Sequence, residues 1–267
     1  YSIDGGKTWQ ISGTFTGLAP DTEYSIVTKI TATSTANESP VSDALKVTTD
    51  KKADLQTQTT QKDKVTKAEK AAAKLSLNAG LKVSQTGNKI TVKWGKVSNA
   101  DRYVVYAAYC GSAKCTKIKT LSGSRTSMTF TKLNGSRLNR KKNFKVYVVA
   151  YRKVNGKETQ LARSIAAHIV GTENTAYTNV KNISLPKSSY TLKAGGTAKI
   201  QAEAVLVDEN RKQLPDSHAP EFRYASDSTK VATVDENGTI KAVGKGTCYV
   251  YVYAKNGYAK KVRVTVK

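Results

Sequence analysis

The stretch Leu138 to Arg152, LNRKKNFKVYVVAYR, constrains the chain most. Phe144, Val146, Val148 and Ala150 fall on one face of an extended segment, and Lys145, Tyr147, Val149 and Tyr151 fall on the other. That period of two is the signature of a half-buried strand. A second copy, LAPDTEYSIVTKI at Leu18 to Ile30, places Leu18 six residues before Tyr24, just as Leu138 stands six before Phe144. Tyr and β-branched residues abound, Met occurs once, and Gly-containing turns recur, so the 267 residues predict an all-β chain. At roughly 100 residues per domain, two to three domains are expected. No run of about 18 apolar residues occurs, so no segment is expected to insert in a membrane. The chain opens on Tyr1, without an initiator Met or signal peptide, and reads as a fragment or processed product.

The spacing of the two repeated stretches resembles the turn into the sixth strand of fibronectin type III domains. There a leucine fills the corner and a tyrosine hydroxyl reaches back to upstream backbone. The first copy keeps Pro20 and Tyr24; the second has Arg140 and Phe144 in their places, so the hydroxyl bond is expected to be absent from it. Residues 1–50 resemble the back half of such a domain, with a hairpin turn at Asp4-Gly5-Gly6-Lys7 before Trp9 and Ile11. Strands follow at Leu18 to Ile30 and Ala44 to Thr49, and the earlier strands are expected to lie upstream. Residues 80–170 resemble a complete, basic domain of the same kind. Trp94 stands in the core-tryptophan place, and Asn155-Gly156 is a hairpin turn between the strands at Leu138 to Arg152 and Gln160 to Val170.

Residues 178–267 carry SSYTLKAGGTAKI, then YASDSTKVATVDENGTIKAVGKGTCYVYVYA, then KKVRVTV, and they resemble a bacterial Ig-like domain of group 2. Val231, Val234, Ile240 and Val243 are expected in its core. Between the first two domains, residues 51–79 turn to Lys, Gln, Thr and Ala without an aromatic residue. Composition predicts a flexible linker open to trypsin, with a marginal helix at Lys67 to Leu75. The predicted architecture is thus tandem β-sandwiches, independently folded and joined by a linker.

The net charge of +24 is uneven. Residues 80–170 hold 19 Lys and Arg against two acids, Asp101 and Glu158. Arg137, Arg140, Lys141, Lys142 and Lys145 crowd the entry to the strand at Phe144, with no acid among residues 134–145. They are the candidate polyanion-binding site. Tyr249, Tyr251 and Tyr253 alternate outward on one strand, with Lys261 and Arg263 outward on the next. That aromatic stripe can stack sugars or hold anionic groups, but ordinary cross-strand pairing on a solvated face, or a neighbouring domain leaning there, is the preferred reading.

No catalytic constellation emerges. His168 and His218 fall in different domains and read as surface residues, and no metal or cofactor is expected. The acidic turns Asp208-Glu209-Asn210 and Asp235-Glu236-Asn237-Gly238 read as turns rather than calcium ligands. Cys110 and Cys115 flank a four-residue loop that admits a hairpin disulfide, which is preferred to free thiols or half a zinc site. Cys248 reads as a buried small hydrophobe.

The Ig-like resemblance implies a stalk or adhesive region of an extracellular or cell-surface bacterial protein. Its expected partners are anionic cell-wall polymers or host glycans, in a monomeric chain. Export argues against nucleic acid. The alternative is an accessory region of an extracellular carbohydrate-active enzyme whose catalytic domain lies upstream.

Overall fold

The computed structural model describes residues 1–50 and 64–267. The chain is all-β apart from one helix among the described residues, and it divides into two compact units, Tyr1–Lys64 and Val65–Lys267.

In the first unit, β1 (Glu23–Ile26) pairs antiparallel with β2 (Leu45–Thr48). The corner forms as expected: Tyr24 Oη accepts from the Ala19 amide at 2.9 Å. The hairpin expected at Asp4 to Lys7 does not extend into strands. The Asp4 carboxylate instead accepts from the Lys7 and Thr8 amides and the Thr8 hydroxyl, closing a local turn in which Gly5 and Gly6 take positive φ. Ile11 is 98% exposed and Ile30 73%.

The second unit contains both remaining sandwiches. In the middle one, β3 (Lys82–Thr86), β4 (Lys89–Lys93) and β7 (Ser127–Phe130) form one sheet. The other has β5 (Arg102–Tyr109) and β10 (Phe144–Val154) at its centre. It is completed by β6 (Thr116–Ser122) on one edge and by β11 (Lys157–Arg163) and β12 (Ala167–Ile169) on the other. A short hairpin of β8 (Lys132–Leu133) and β9 (Ser136–Arg137) caps one end. Trp94, Tyr103, Phe144, Val146 and Val148 fill the space between the sheets, as the alternation predicts. At the hairpin after β10, Asn155 and Gly156 both take positive φ, as a two-residue turn of this hand requires.

The linker expectation is corrected over residues 67–79; its remainder at 51–63 lies outside the described residues. Helix α1 (Lys67–Ala79) packs into the core of the middle sandwich. Ala73 and Leu77, four residues apart on one face, are 4% and 0% exposed. Thr66 caps it: its hydroxyl accepts from the Glu69 amide at 3.1 Å, while the Glu69 carboxylate accepts from the Thr66 amide at 2.8 Å. Glu69 also pairs with Arg152 of β10 at 3.2 Å, and buried Asn78 accepts from the Ile165 amide at 2.8 Å. The helix end fits because two glycines meet there. A Cβ on Gly80 would lie 2.2 Å from the Gly95 nitrogen, and one on Gly95 would lie 1.9 Å from the Ser76 carbonyl. Linker composition therefore hides a docked element whose stability comes from packing.

The corner of the second repeated stretch is a second correction. Phe144 has no hydroxyl, but Tyr109, its cross-strand partner on β5, supplies one: Tyr109 Oη accepts from the Asn139 amide at 2.8 Å. Asn139 stands five residues before Phe144, as Ala19 stands five before Tyr24, so the same bond is made from the neighbouring strand. Tyr109→Phe is expected to cost about 1 kcal/mol, the net worth of one such bond, read as a lower urea midpoint at unchanged slope.

In the last sandwich, β14 (Ser189–Leu192), β21 (Ala259–Val266), β20 (Gly246–Ala254) and β17 (Phe222–Ser226) form one sheet. It packs with a sheet of β15 (Thr197–Lys199), β19 (Thr239–Ala242) and β18 (Ala232–Val234), while β13 (Val180–Ser184) pairs with β16 (Glu203–Leu206). Ile240 and Cys248 are buried, and Val231 and Val234 pack partly buried against the core. Val243, expected inside, is 49% exposed, because β19 ends at Ala242 and the chain turns out of the sheet.

The two sandwiches are not independent. The Arg223 guanidinium on β17 reaches across the boundary to the Ala166 carbonyl at 2.9 Å and holds the Ala254 carbonyl at 3.0 Å. The Lys255 carbonyl accepts from the His168 amide at 2.8 Å, and Gly257 seats against Leu81 and Ala167.

Candidate functional site

The structure separates the five residues of the candidate polyanion site. Arg137, on β9, lines a shallow depression with Asn88, Lys89, Thr131 and Lys132. Arg140 is ion-paired with Glu173, so an acid outside residues 134–145 does neutralise part of the loop. Its backbone is tied down as well: the Arg140 carbonyl accepts from the Glu173 amide, and the Lys141 carbonyl from Asn174. Lys145 donates to the Ser112 carbonyl. Lys141 and Lys142 are exposed, the latter 5.3 Å from the centre of the Tyr109 ring. The middle domain's two acids are themselves engaged, Glu158 by Arg102 and Asp101 by the Lys153 amide. The field of the remaining cations is left largely uncompensated.

The tyrosine stripe is only partly a surface. Lys261 lies 3.8 Å over the Tyr249 ring and 5.9 Å from Tyr251, and Arg263 stands opposite Tyr249. Tyr253 is 1% exposed, and burial pushes its phenol well above the usual range. It stands opposite Arg223, at the end of the sheet that meets the middle sandwich.

A second aromatic face lies on the middle sandwich, where sequence reasoning named no site. Tyr106 and Tyr147, opposite each other on β5 and β10, stack at 5.0 Å and 15°. The Arg163 guanidinium covers Tyr147 at 3.8 Å, and Arg102 covers Tyr151 at 4.8 Å. The outward alternation of Tyr147 and Tyr151 was visible; the pairing with Tyr106 required the strand register.

The histidines are a further correction. His168, on β12, is buried at 9% exposure, and half-buried His218 meets it edge-on with ring centres 6.0 Å apart. Cys110 Sγ lies 3.6 Å from His168 Nδ1. One ligand atom from each of Cys110, His168 and His218 lies within 4.8 Å of the others. Burial, helped by the nearby charges of Arg223, His218, Lys145 and Lys255, pulls the His168 imidazole down to about 4, so it is neutral at pH 7. Burial pushes the Cys110 thiol up to about 11. Cys110 and Cys115 are free thiols in this structure.

Residues 179–266 match the bacterial Ig-like domain (group 2) family. No curated protein sequence matches the chain. Among solved structures, domains 4 and 5 of the S-layer protein SbsC are similar at 14% identity and a TM-score of 0.28, over 68% of this chain and 84% of that one. The FN1–FN3 domains of chicken CNTN1 are similar at 14% identity and a TM-score of 0.28, over 94% of this chain and 79% of that one. A C-terminal 282-residue fragment of intimin, solved with the intimin-binding domain of its translocated receptor, is similar at 13% identity and a TM-score of 0.23. That match covers 67% of this chain and 57% of the fragment. Among the described residues no helix is long and apolar enough to cross a membrane.

Proposed function

We propose that this chain is a non-catalytic segment of a bacterial surface or secreted protein whose middle domain binds anionic polymers through charge. The family match over residues 179–266 supports the surface setting. The observation that carries the binding reading is the excess of 19 Lys and Arg over two acids in residues 80–170, with both acids already engaged. Such a field attracts polyanions, and phosphate-bearing wall polymers or sulfated glycans suit an exported protein. Lys89, Lys132 and Arg137 form the favoured contact, because they converge on one depression, whereas Arg140 is spent on Glu173.

The test is retention of the full chain on poly(glycerol phosphate), heparin and DNA at rising salt. Retention is expected on the first two at low salt, falling steeply as salt rises because bound counterions are released. Changing Lys89, Lys132 and Arg137 to Ser is expected to weaken binding about tenfold, from three exposed charge contacts, and changing Lys141 and Lys142 to Ser to weaken it less. No retention at low salt overturns the reading, and preferential retention on DNA replaces the partner class.

A further inference from the structure

Cys110, His168 and His218 come from three separate places in the chain and meet only because the two sandwiches dock. Cys110 closes the end of β5, His168 lies on β12, and His218 belongs to the segment before β17 of the last sandwich. We propose that these three side chains form a binding site for a borderline-soft divalent cation of the zinc class, which clamps the two sandwiches together.

The donors, one thiolate sulfur and two imidazole nitrogens, are ligand types that zinc-class ions take, and copper shares the same set. The spacing fits as well. Metal–sulfur and metal–nitrogen bonds of about 2.3 and 2.0–2.1 Å at tetrahedral angles put sulfur and nitrogen about 3.6 Å apart and two nitrogens about 3.4 Å apart. The Cys110 Sγ to His168 Nδ1 separation is 3.6 Å, and the three donors lie within 4.8 Å of one another. Cys110 and His168 already stand at that spacing, so half-buried His218 is the ligand that shifts to close the set. On binding, the Cys110 thiol gives its proton to solvent, one metal–thiolate and two metal–imidazole bonds form, and the ion sheds the waters they replace. The fourth position stays with solvent.

The surrounding cations tune the site rather than forbid it. Lys255 is ion-paired with Asp216, Arg223 is held by backbone carbonyls, and Lys145 is tethered to the Ser112 carbonyl. Their charge weakens affinity for a divalent ion, and the thiolate that forms offsets one unit of it. The site competes with the hairpin disulfide, which would consume Cys110.

Cobalt(II) reports the site directly. Added to the reduced full chain, one equivalent is expected to give a thiolate-to-cobalt charge-transfer band in the near ultraviolet and the intense visible bands of tetrahedral cobalt, both bleached by Zn2+. Cys110→Ser should abolish the charge-transfer band, and His218→Ala should weaken binding at least tenfold. Cys115→Ser, which cannot form the disulfide, should keep the full spectrum. Zn2+ should raise the unfolding midpoint of the wild type and leave that of Cys110→Ser unchanged. No charge-transfer band in the wild type or in Cys115→Ser overturns the site, as does a band that survives in Cys110→Ser. An unfolding midpoint indifferent to Zn2+ in a cobalt-binding protein overturns the clamp.

Discussion

Leu77→Ala is expected to destabilise the Val65–Lys267 unit by about 3 kcal/mol, the usual cost of deleting a fully buried leucine and leaving its cavity. Leu77 is 0% exposed, and the Gly80–Gly95 approach fixes the helix end too tightly for the gap to close. In a unit of this size the midpoint of thermal unfolding should fall by roughly 10 °C. Lys74→Ala on the exposed face of α1 should change it little. If Leu77→Ala were as mild as Lys74→Ala, the helix would be a surface appendage and the middle sandwich would end at Leu81. The consequence for dissection is practical: a fragment beginning at residue 80 loses part of its core and exposes Leu81, Ile165 and their neighbours.

The second large effect is expected at Arg223. Burial lowers its guanidinium to about 10, yet at neutral pH it stays charged, held by the Ala166, Ala254 and Lys255 carbonyls at 2.9, 3.0 and 3.3 Å. Replacing it with Met keeps much of the apolar stem and removes the charge-assisted bonds, leaving the Ala166 carbonyl without that donor. About 2–3 kcal/mol should be lost, and lost from the joint rather than from either core. Calorimetry should then resolve two transitions, one per sandwich, where the wild type gives one. A single transition at the wild-type midpoint would show that the other contacts of the joint, among them the His168 amide on the Lys255 carbonyl and Gly257 against Leu81 and Ala167, hold it without Arg223.

Strands whose two faces differ were legible in the sequence. The alternation at Phe144 to Tyr151 placed β10 and its inward face, and Cys248, Val250 and Val252 placed the inward face of β20. What escaped was every feature that depends on residues far apart in the chain. Helix α1 buries only Ala73, Leu77 and Asn78 in a run of Ala and Lys, so composition resembles a linker until the backbone at Gly95 is in place. The hydroxyl of the second corner moved from position 144 to Tyr109, 35 residues upstream in sequence yet directly opposite in the sheet. Cys110, His168 and His218 have no local spacing to betray them. Arg137 and Arg140 are three residues apart and end in different surroundings, because a hairpin of two-residue strands precedes the loop tied to Glu173. The aromatic face at Tyr106 and Tyr147 was half visible for the same reason: alternation names the face, and only register names the neighbour.

The parallel pairing of β14 with β21 bears on how the last sandwich carries load. Ser189 to Leu192 runs beside Arg263 to Val266 in register, flanked by bonds from the Arg263 amide to the Ser188 carbonyl and from the Lys267 amide to the Leu192 carbonyl. Tension applied between residue 178 and residue 267 pulls these two strands past each other along their length, so their hydrogen bonds must slip together rather than peel one at a time. A domain strung this way resists stretching through the height of its unfolding barrier, and that resistance is separate from its equilibrium stability. A proline at Thr265, beside β14, would weaken that mechanical latch, and its effect should appear in pulling experiments as a lower rupture force.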